Sequence, residues 1–128
     1  MELKKRNEKH LYPLNGADIR SIYKVRDKML THLDRPPAIS EMAVMANMST
    51  SKLKRLFKQI FGDSIFSYYQ SFRMKEAARL LKEEKLSVSE AGYQVGFSNL
   101  SHFSRIFNEY HGMKPKRYRQ SQYAVAEI

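Results

Sequence analysis

Two arginines sit in matched surroundings far apart in this chain: Arg55 in Leu53-Lys54-Arg55-Leu56-Phe57, and Arg105 in Phe103-Ser104-Arg105-Ile106-Phe107. A guanidinium is a planar fork of donors that stays charged at any ordinary pH. It can grip a pair of acceptors or a phosphate, but it makes a poor acid or base. The residues suited to catalysis are not placed for it. The four histidines, His10, His32, His102 and His111, form no H-E-x-x-H pair, and neither a phosphate-loop glycine run nor a G-x-S-x-G elbow occurs. Cysteine is absent, which removes disulfides, thiolate nucleophiles and Cys-ligated zinc. The chemistry on offer is recognition, with no metal and no cofactor, so the chain reads as a non-enzyme.

Charge narrows the partner. Lys and Arg number 23 against 13 Asp and Glu, a formal net charge of +10 in 128 residues. A surplus that large repels itself unless a polyanion is the normal partner, and nucleic acid is the first candidate, an anionic membrane surface the second. At 42% hydrophobic the chain can bury a core. No apolar run approaches the roughly 20 residues of a membrane helix. The basic residues 1–10 lead into no apolar stretch, so no signal peptide is expected and a cytoplasmic location is.

The elements that must position these arginines read as helices throughout, about seven in all. Residues 1–16 lack periodicity and read as a linker or arm, punctuated by Pro13, Asn15 and Gly16; residues 17–128 read as one folded domain. Asp18 opens a helix with Ile22, Val25, Met29 and Leu33 on one face, stopped by Pro36 and Pro37. Ser40 is the expected N-cap of a short helix, and Ser49 caps the next, which carries Leu53, Leu56, Phe57 and Ile60 and ends at Gly62. A long helix over about 64–83 turns Tyr69, Met74, Ala77, Ala78 and Leu81 inward. Residues 87–95 form another short helix, 99–110 a longer one closed by Gly112, and 115–118 a last helical turn. No segment shows a strand's period of two.

The same unit occurs twice. Ile39-Ser40-Glu41 recurs as Val88-Ser89-Glu90, Ala46-Asn47-Met48-Ser49 as Val95-Gly96-Phe97-Ser98, and Leu53-x-Arg55-Leu56-Phe57 as Phe103-x-Arg105-Ile106-Phe107. The second copy carries one extra residue after the turn. Short helix, tight turn and longer helix, with Asn47 or Gly96 where a positive φ is needed, is the pattern of a helix-turn-helix at about 38–62 and again at about 87–112. The joining helix spans roughly 30 Å at ~1.5 Å per residue, close to the ~34 Å of one turn of B-DNA. Two such units could then enter successive major grooves of a duplex. A duplex-RNA major groove is too narrow for this, which favours DNA over RNA. A membrane-surface module would need one amphipathic helix with a spare apolar face, and the stripes here are short and shared, so no membrane partner is expected.

From about Pro37 to Arg119 the chain resembles the AraC/XylS family of transcription regulators. The resemblance rests on Ser49-x-x-x-Leu53-x-Arg55-Leu56-Phe57-Lys58-x-x-Phe61-Gly62, on Tyr69-x-x-x-Arg73-Met74-x-x-Ala77-x-x-Leu80-Leu81, on Val95-Gly96-Phe97-Ser98-x-x-Ser101-x-Phe103-Ser104-Arg105-x-Phe107, and on Gly112-Met113-Lys114-Pro115-x-x-Tyr118-Arg119. It implies an all-α fold of two homeodomain-like halves joined by a linker helix, in a bacterial transcription regulator bound to double-stranded DNA on the nucleoid. It leans towards an activator that contacts RNA polymerase. Many family members also carry an N-terminal effector-binding or dimerisation domain, for which this chain has no room, so the chain reads either as a stand-alone small member or, the reading favoured by the linker-like residues 1–15, as the C-terminal part of a longer regulator. Two departures stand out. Asn108 and Glu109 lie where the second unit commonly has basic residues, and Leu100 lies where a polar residue often reads a base.

In a recognition helix the base-facing residues lie near the N-terminus. That selects Thr50, Ser51, Lys54 and Arg55 in the first unit, and Leu100, Ser101, Ser104 and Arg105 in the second. Expected phosphate contacts are Ser40, Lys52, Lys58, Ser89, His102, Lys116 and Arg117, with Lys114 and Arg119 as further charges of a basic tail. Arg73 is expected to be structural, and Phe57, Phe97, Phe103 and Phe107 to be core residues.

Overall fold

The computed structural model describes residues 12–127, with side chains for 12–123, so most of the arm expected over 1–16 lies outside the described residues. Among the described residues seven helices follow one another: α1 (Gly16–Leu30), α2 (Ile39–Met45), α3 (Thr50–Phe61), α4 (Ile65–Lys82), α5 (Val88–Gln94), α6 (Leu100–His111) and α7 (Pro115–Glu127). No strand occurs among the described residues. The chain divides into two compact units, one holding the residues up to Thr31 with Pro36–Tyr68, the other His32–Arg35 with Tyr69 onwards.

In the first unit α1 and α2 pack on α3. Ile22 and Val25 from α1, Met42 and Ala43 from α2, and Leu53, Leu56 and Phe57 from α3 are buried. α1 is shorter than its expected stripe. Thr31 ends it, with both its N–H and its hydroxyl donating to Lys28 O (3.3 and 2.6 Å), a local competition that Thr side chains favour. Leu33 is therefore in the following turn, not on the α1 face. α2 begins one residue earlier than its expected cap. Its N-cap is Ala38, without a side-chain hydrogen bond, and Ser40 is already helical.

In the second unit α5, α6 and α7 pack on one another. Their core joins Met74, Ala77, Leu80 and Leu81 of α4 to Ala91, Val95, Phe97, Phe103 and Phe107. The four phenylalanines expected in the core are buried there or in the first unit. α7 is much longer than the single expected turn. Pro115 begins it, where a missing N–H matters least. Tyr118 then stacks edge-on to Phe107 (5.5 Å), and Arg119 donates from Nε to Leu86 O (2.9 Å) while lying over the Tyr123 ring. Arg119 is thus a structural side chain of α7 rather than a free tail charge.

Candidate nucleic-acid interface

The bend between α2 and α3 and the bend between α5 and α6 are built in the same way. At the end of α2, Met48 N–H donates to Ala43 O (3.0 Å) and Asn47 N–H to Val44 O (3.0 Å), with Asn47 at φ 54°. At the end of α5, Phe97 N–H donates to Gly92 O (2.9 Å) and Gly96 N–H to Tyr93 O (3.0 Å), with Gly96 at φ 90°. Each is a Schellman closure with one left-handed residue, which stops the first helix and redirects the chain. The longer helix is then capped afresh: Ser49 Oγ accepts from Lys52 N–H (3.1 Å), and Asn99 Oδ1 from His102 N–H (3.0 Å). The caps are thus Ser49 and Asn99. The second copy's extra residue falls inside the turn, before the cap, where the sequence reading put it after Ser98.

Two further features hold the second bend. Arg73 is buried and donates from Nε to Val95 O (2.6 Å), with its guanidinium 4.1 Å over the Phe97 ring. Burial pushes its pKa below the usual arginine value. A Cβ on Gly92 would meet Phe103 at 2.9 Å and Leu100 at 3.0 Å, so α5 and α6 cross in close contact there.

These bends set where the expected contact residues lie. Thr50, Ser51, Lys54, Arg55 and Lys58 are all exposed on α3. On α6 Ser101 and Arg105 are exposed, whereas Ser104 and Leu100 are half-buried, the latter against Gly92. His102 is exposed and edge-on to Phe97 (5.3 Å). Ser40 and Ser89 are exposed in the first turns of α2 and α5, and Lys116 and Arg117 in the first turn of α7. Lys52 stands apart: its Nζ is paired with Asp18 (3.2 Å) and lies 6.0 Å from the Tyr12 ring.

An open groove follows each of the two longer helices on equivalent faces. Along α3 it is lined by Lys54, Arg55 and Lys58, and across from them by Ser64, Ile65 and Phe66. Along α6 it is lined by Leu100, Ser101, Ser104, Arg105 and Asn108, with Lys114 across from them. The sequence reading placed Lys114 only in a basic tail; the signal that could have found it was the repeat itself, which sets Lys114 opposite Ser64. Not every cation is available in this way. Arg79 is tied to Glu76, Glu83 and Glu84 on the surface of α4.

A family profile described as a helix-turn-helix domain matches residues 42–121. The DNA-binding domain of AdpA, solved in complex with a target DNA, superposes with a TM-score of 0.75 at 26% identity, covering 81% of this chain and 94% of that one. A regulator with an AraC-type DNA-binding domain from Chromobacterium violaceum gives 0.74 at 26% identity, covering 84% and 96%. The chain belongs to the AraC-type helix-turn-helix family. As an AraC-type domain it is a DNA-binding module of the transcription-regulator class. Among curated proteins it is similar to the transcriptional regulator GbdR of Pseudomonas aeruginosa, 33% identical over 114 residues, covering 89% of this chain and 30% of that protein. It is also similar to GlxA of Rhizobium meliloti, 33% identical over 105 residues, covering 82% and 32%. The AraC-type chain therefore spans about a third of the length of these relatives. No helix among its described residues is long and apolar enough to cross a membrane.

Proposed function

We propose that this domain binds duplex DNA sequence-specifically, with α3 and α6 as recognition helices entering successive major grooves. The observation that carries the reading is the repeated bend. Two Schellman turns, each followed by a capped helix, leave Arg55 and Arg105 exposed on equivalent faces. Each guanidinium would pair with the O6 and N7 of a guanine, worth about 1–3 kcal/mol of discrimination. Thr50, Ser51 and Lys54 would read neighbouring bases in the first half-site, and Ser101 and Ser104 in the second. Leu100, held against Gly92, presents an apolar edge suited to a thymine methyl.

Phosphate contacts are assigned to Ser40, Lys58, Ser89, His102, Lys116 and Arg117. Lys52 reaches a phosphate only by exchanging its pairing with Asp18, which lowers its expected share. The domain acts by binding rather than by catalysis. We read it as the C-terminal part of a longer cytoplasmic regulator whose N-terminal part senses an effector or dimerises, and which activates transcription through RNA polymerase. The greater length of its relatives supports the part of that reading that makes the protein longer.

The test is a genomic-fragment selection with the purified chain, followed by affinity measurements on the best site. Enrichment of a site near 20 base pairs (~10 per half-site) is expected, with Arg55→Ala and Arg105→Ala each relaxing preference in its own half. A steep salt dependence with no preferred sequence, untouched in pattern by either substitution, would leave only a polyanion-binding helical domain.

A further inference from the structure

The two grooves share an arginine on the longer helix but differ in which wall carries a lysine at two matched places. On the recognition-helix wall the first unit has Lys58 and the second has Asn108 at the matching place; on the facing wall the first has Ser64 and the second Lys114. We propose that Lys114 is the phosphate-binding cation of the second recognition groove, standing in for the basic residue that Asn108 lacks. This rests on the DNA-binding reading above and adds to it which side of the second groove meets the backbone.

Local chemistry speaks against Lys114 being there for the fold. In the first unit Ser64 is a helix cap: its carbonyl accepts from Tyr68 N–H (2.9 Å) and its hydroxyl from Ser67 N–H (3.2 Å). Lys114 occupies the same cap position, its carbonyl accepting from Tyr118 N–H (3.0 Å), but an ammonium has no lone pair to offer the free amides. Its charge also lies at the positive end of the α7 dipole, where a cation is disfavoured. Lys114 is exposed, and among the described residues no carboxylate forms an ion pair with it. A residue that breaks the capping rule without a compensating contact inside the protein is expected where a ligand supplies the compensation. An anion set between Lys114 and Arg105 does so, and in a groove flanking a recognition helix that anion is a backbone phosphate.

The experiment is an anisotropy titration of the selected site across a salt series. The proteins compared are wild type, Lys114→Ser, Asn108→Lys with Lys114→Ser, and Lys58→Ala as the first-unit reference. Lys114→Ser should weaken binding to specific and unrelated sequences alike and flatten the log–log salt slope by about 0.9, one phosphate's share. It should also raise the thermal midpoint of the free domain, because it restores a cap. Adding Asn108→Lys should recover the slope by moving the charge to the other wall. If Lys58→Ala flattens the slope while Lys114→Ser leaves slope and affinity unchanged, the assignment of Lys114 fails and the DNA-binding reading stands. If wild type selects no site and its binding is sequence-blind, both fall together.

Discussion

The side-chain amide of Gln59 and the backbone of Tyr12 hold each other in both directions: Tyr12 N–H donates to Oε1 (3.0 Å), and Nε2 donates to Tyr12 O (2.8 Å). The pair lies 47 residues apart and fastens the segment before α1 onto α3. With Lys52 held between Asp18 and the Tyr12 ring, the N-terminal approach to the domain is tied to the same helix that carries Arg55.

Gln59→Glu tests the tie. The carboxylate keeps an acceptor for Tyr12 N–H but sets a second acceptor against Tyr12 O. Hydrogen bonds of this kind contribute about 0.5–1.5 kcal/mol each, and one is lost outright. A fall in stability of about 1 kcal/mol is expected in urea unfolding, with faster hydrogen exchange at residues around Tyr12. Unchanged exchange there would mean that the segment is not held through Gln59.

The left-handed glycines should not be equal. At Gly62 a Cβ meets nothing within 4 Å, so Gly62→Ala carries only the strain of φ +76°, about 1–2 kcal/mol. At Gly96 a Cβ would stand 2.8 Å from the Asp34 backbone and 2.9 Å from Arg73, in addition to φ +90°. Backbone cannot yield as a side-chain tip can, so Gly96→Ala should be the more damaging by at least ~1 kcal/mol. Thermal midpoints of the two variants decide it, and equal midpoints would show that the turn at residues 32–35 gives way freely.

The elements and their turns were legible in the sequence because their causes are local. Asn47 and Gly96 could be assigned positive φ from residue type and position alone, and Ser49, Gly62 and Gly112 mark helix ends by their own chemistry. The register of the caps was harder. Ser40 looks like a cap, yet aligning Ile39-Ser40-Glu41 with Val88-Ser89-Glu90 puts Ala38 opposite Ser87, and the structure follows the alignment. What was not legible depended on distant partners. Arg119 reads as one more tail charge until Leu86 O is beside it, Lys52 as a free cation until Asp18 is, and the grip of Gln59 on Tyr12 has no sequence signature. Lys114 was visible as a charge but not as a wall of a groove, since that needs α6 and α7 side by side.

The capping box of α5 gives a pH signature. Ser87 Oγ accepts from Glu90 N–H, and the Glu90 carboxylate accepts from Ser87 N–H (3.1 Å each). Those bonds from Ser87, backbone first, hold the Glu90 pKa below its usual 4.5. A carboxylate with a depressed folded pKa adds stability that is fully present above the unfolded value and is lost as pH falls through the folded one. The stability difference between wild type and Glu90→Gln should therefore be constant at neutral pH and shrink as pH drops below about 4.5. A difference that keeps the same size down to pH 3 would show that the box contributes nothing through the charge.

The first unit offers the reverse experiment. α2 starts at Ala38 with no side-chain cap, although its backbone there is already extended (φ −89°, ψ 108°) and Glu41 already stands at the third helical position. In the second unit the matching places are Ser87 and Glu90, which form the box. Ala38→Ser needs no change of backbone and supplies the missing oxygen to Glu41 N–H, while the Glu41 side chain can return to the residue 38 amide. Replacing alanine by serine at such a cap stabilises by about 1 kcal/mol. For a domain of this size the thermal midpoint should rise by a few degrees, roughly 3–6 °C. Because Ala38 is not among the residues lining the groove along α3 and the substitution leaves the Ser40 side chain unaltered, affinity for the selected site should not change. A gain in midpoint together with a loss of affinity would show that freedom at the start of α2 is used when the domain meets DNA.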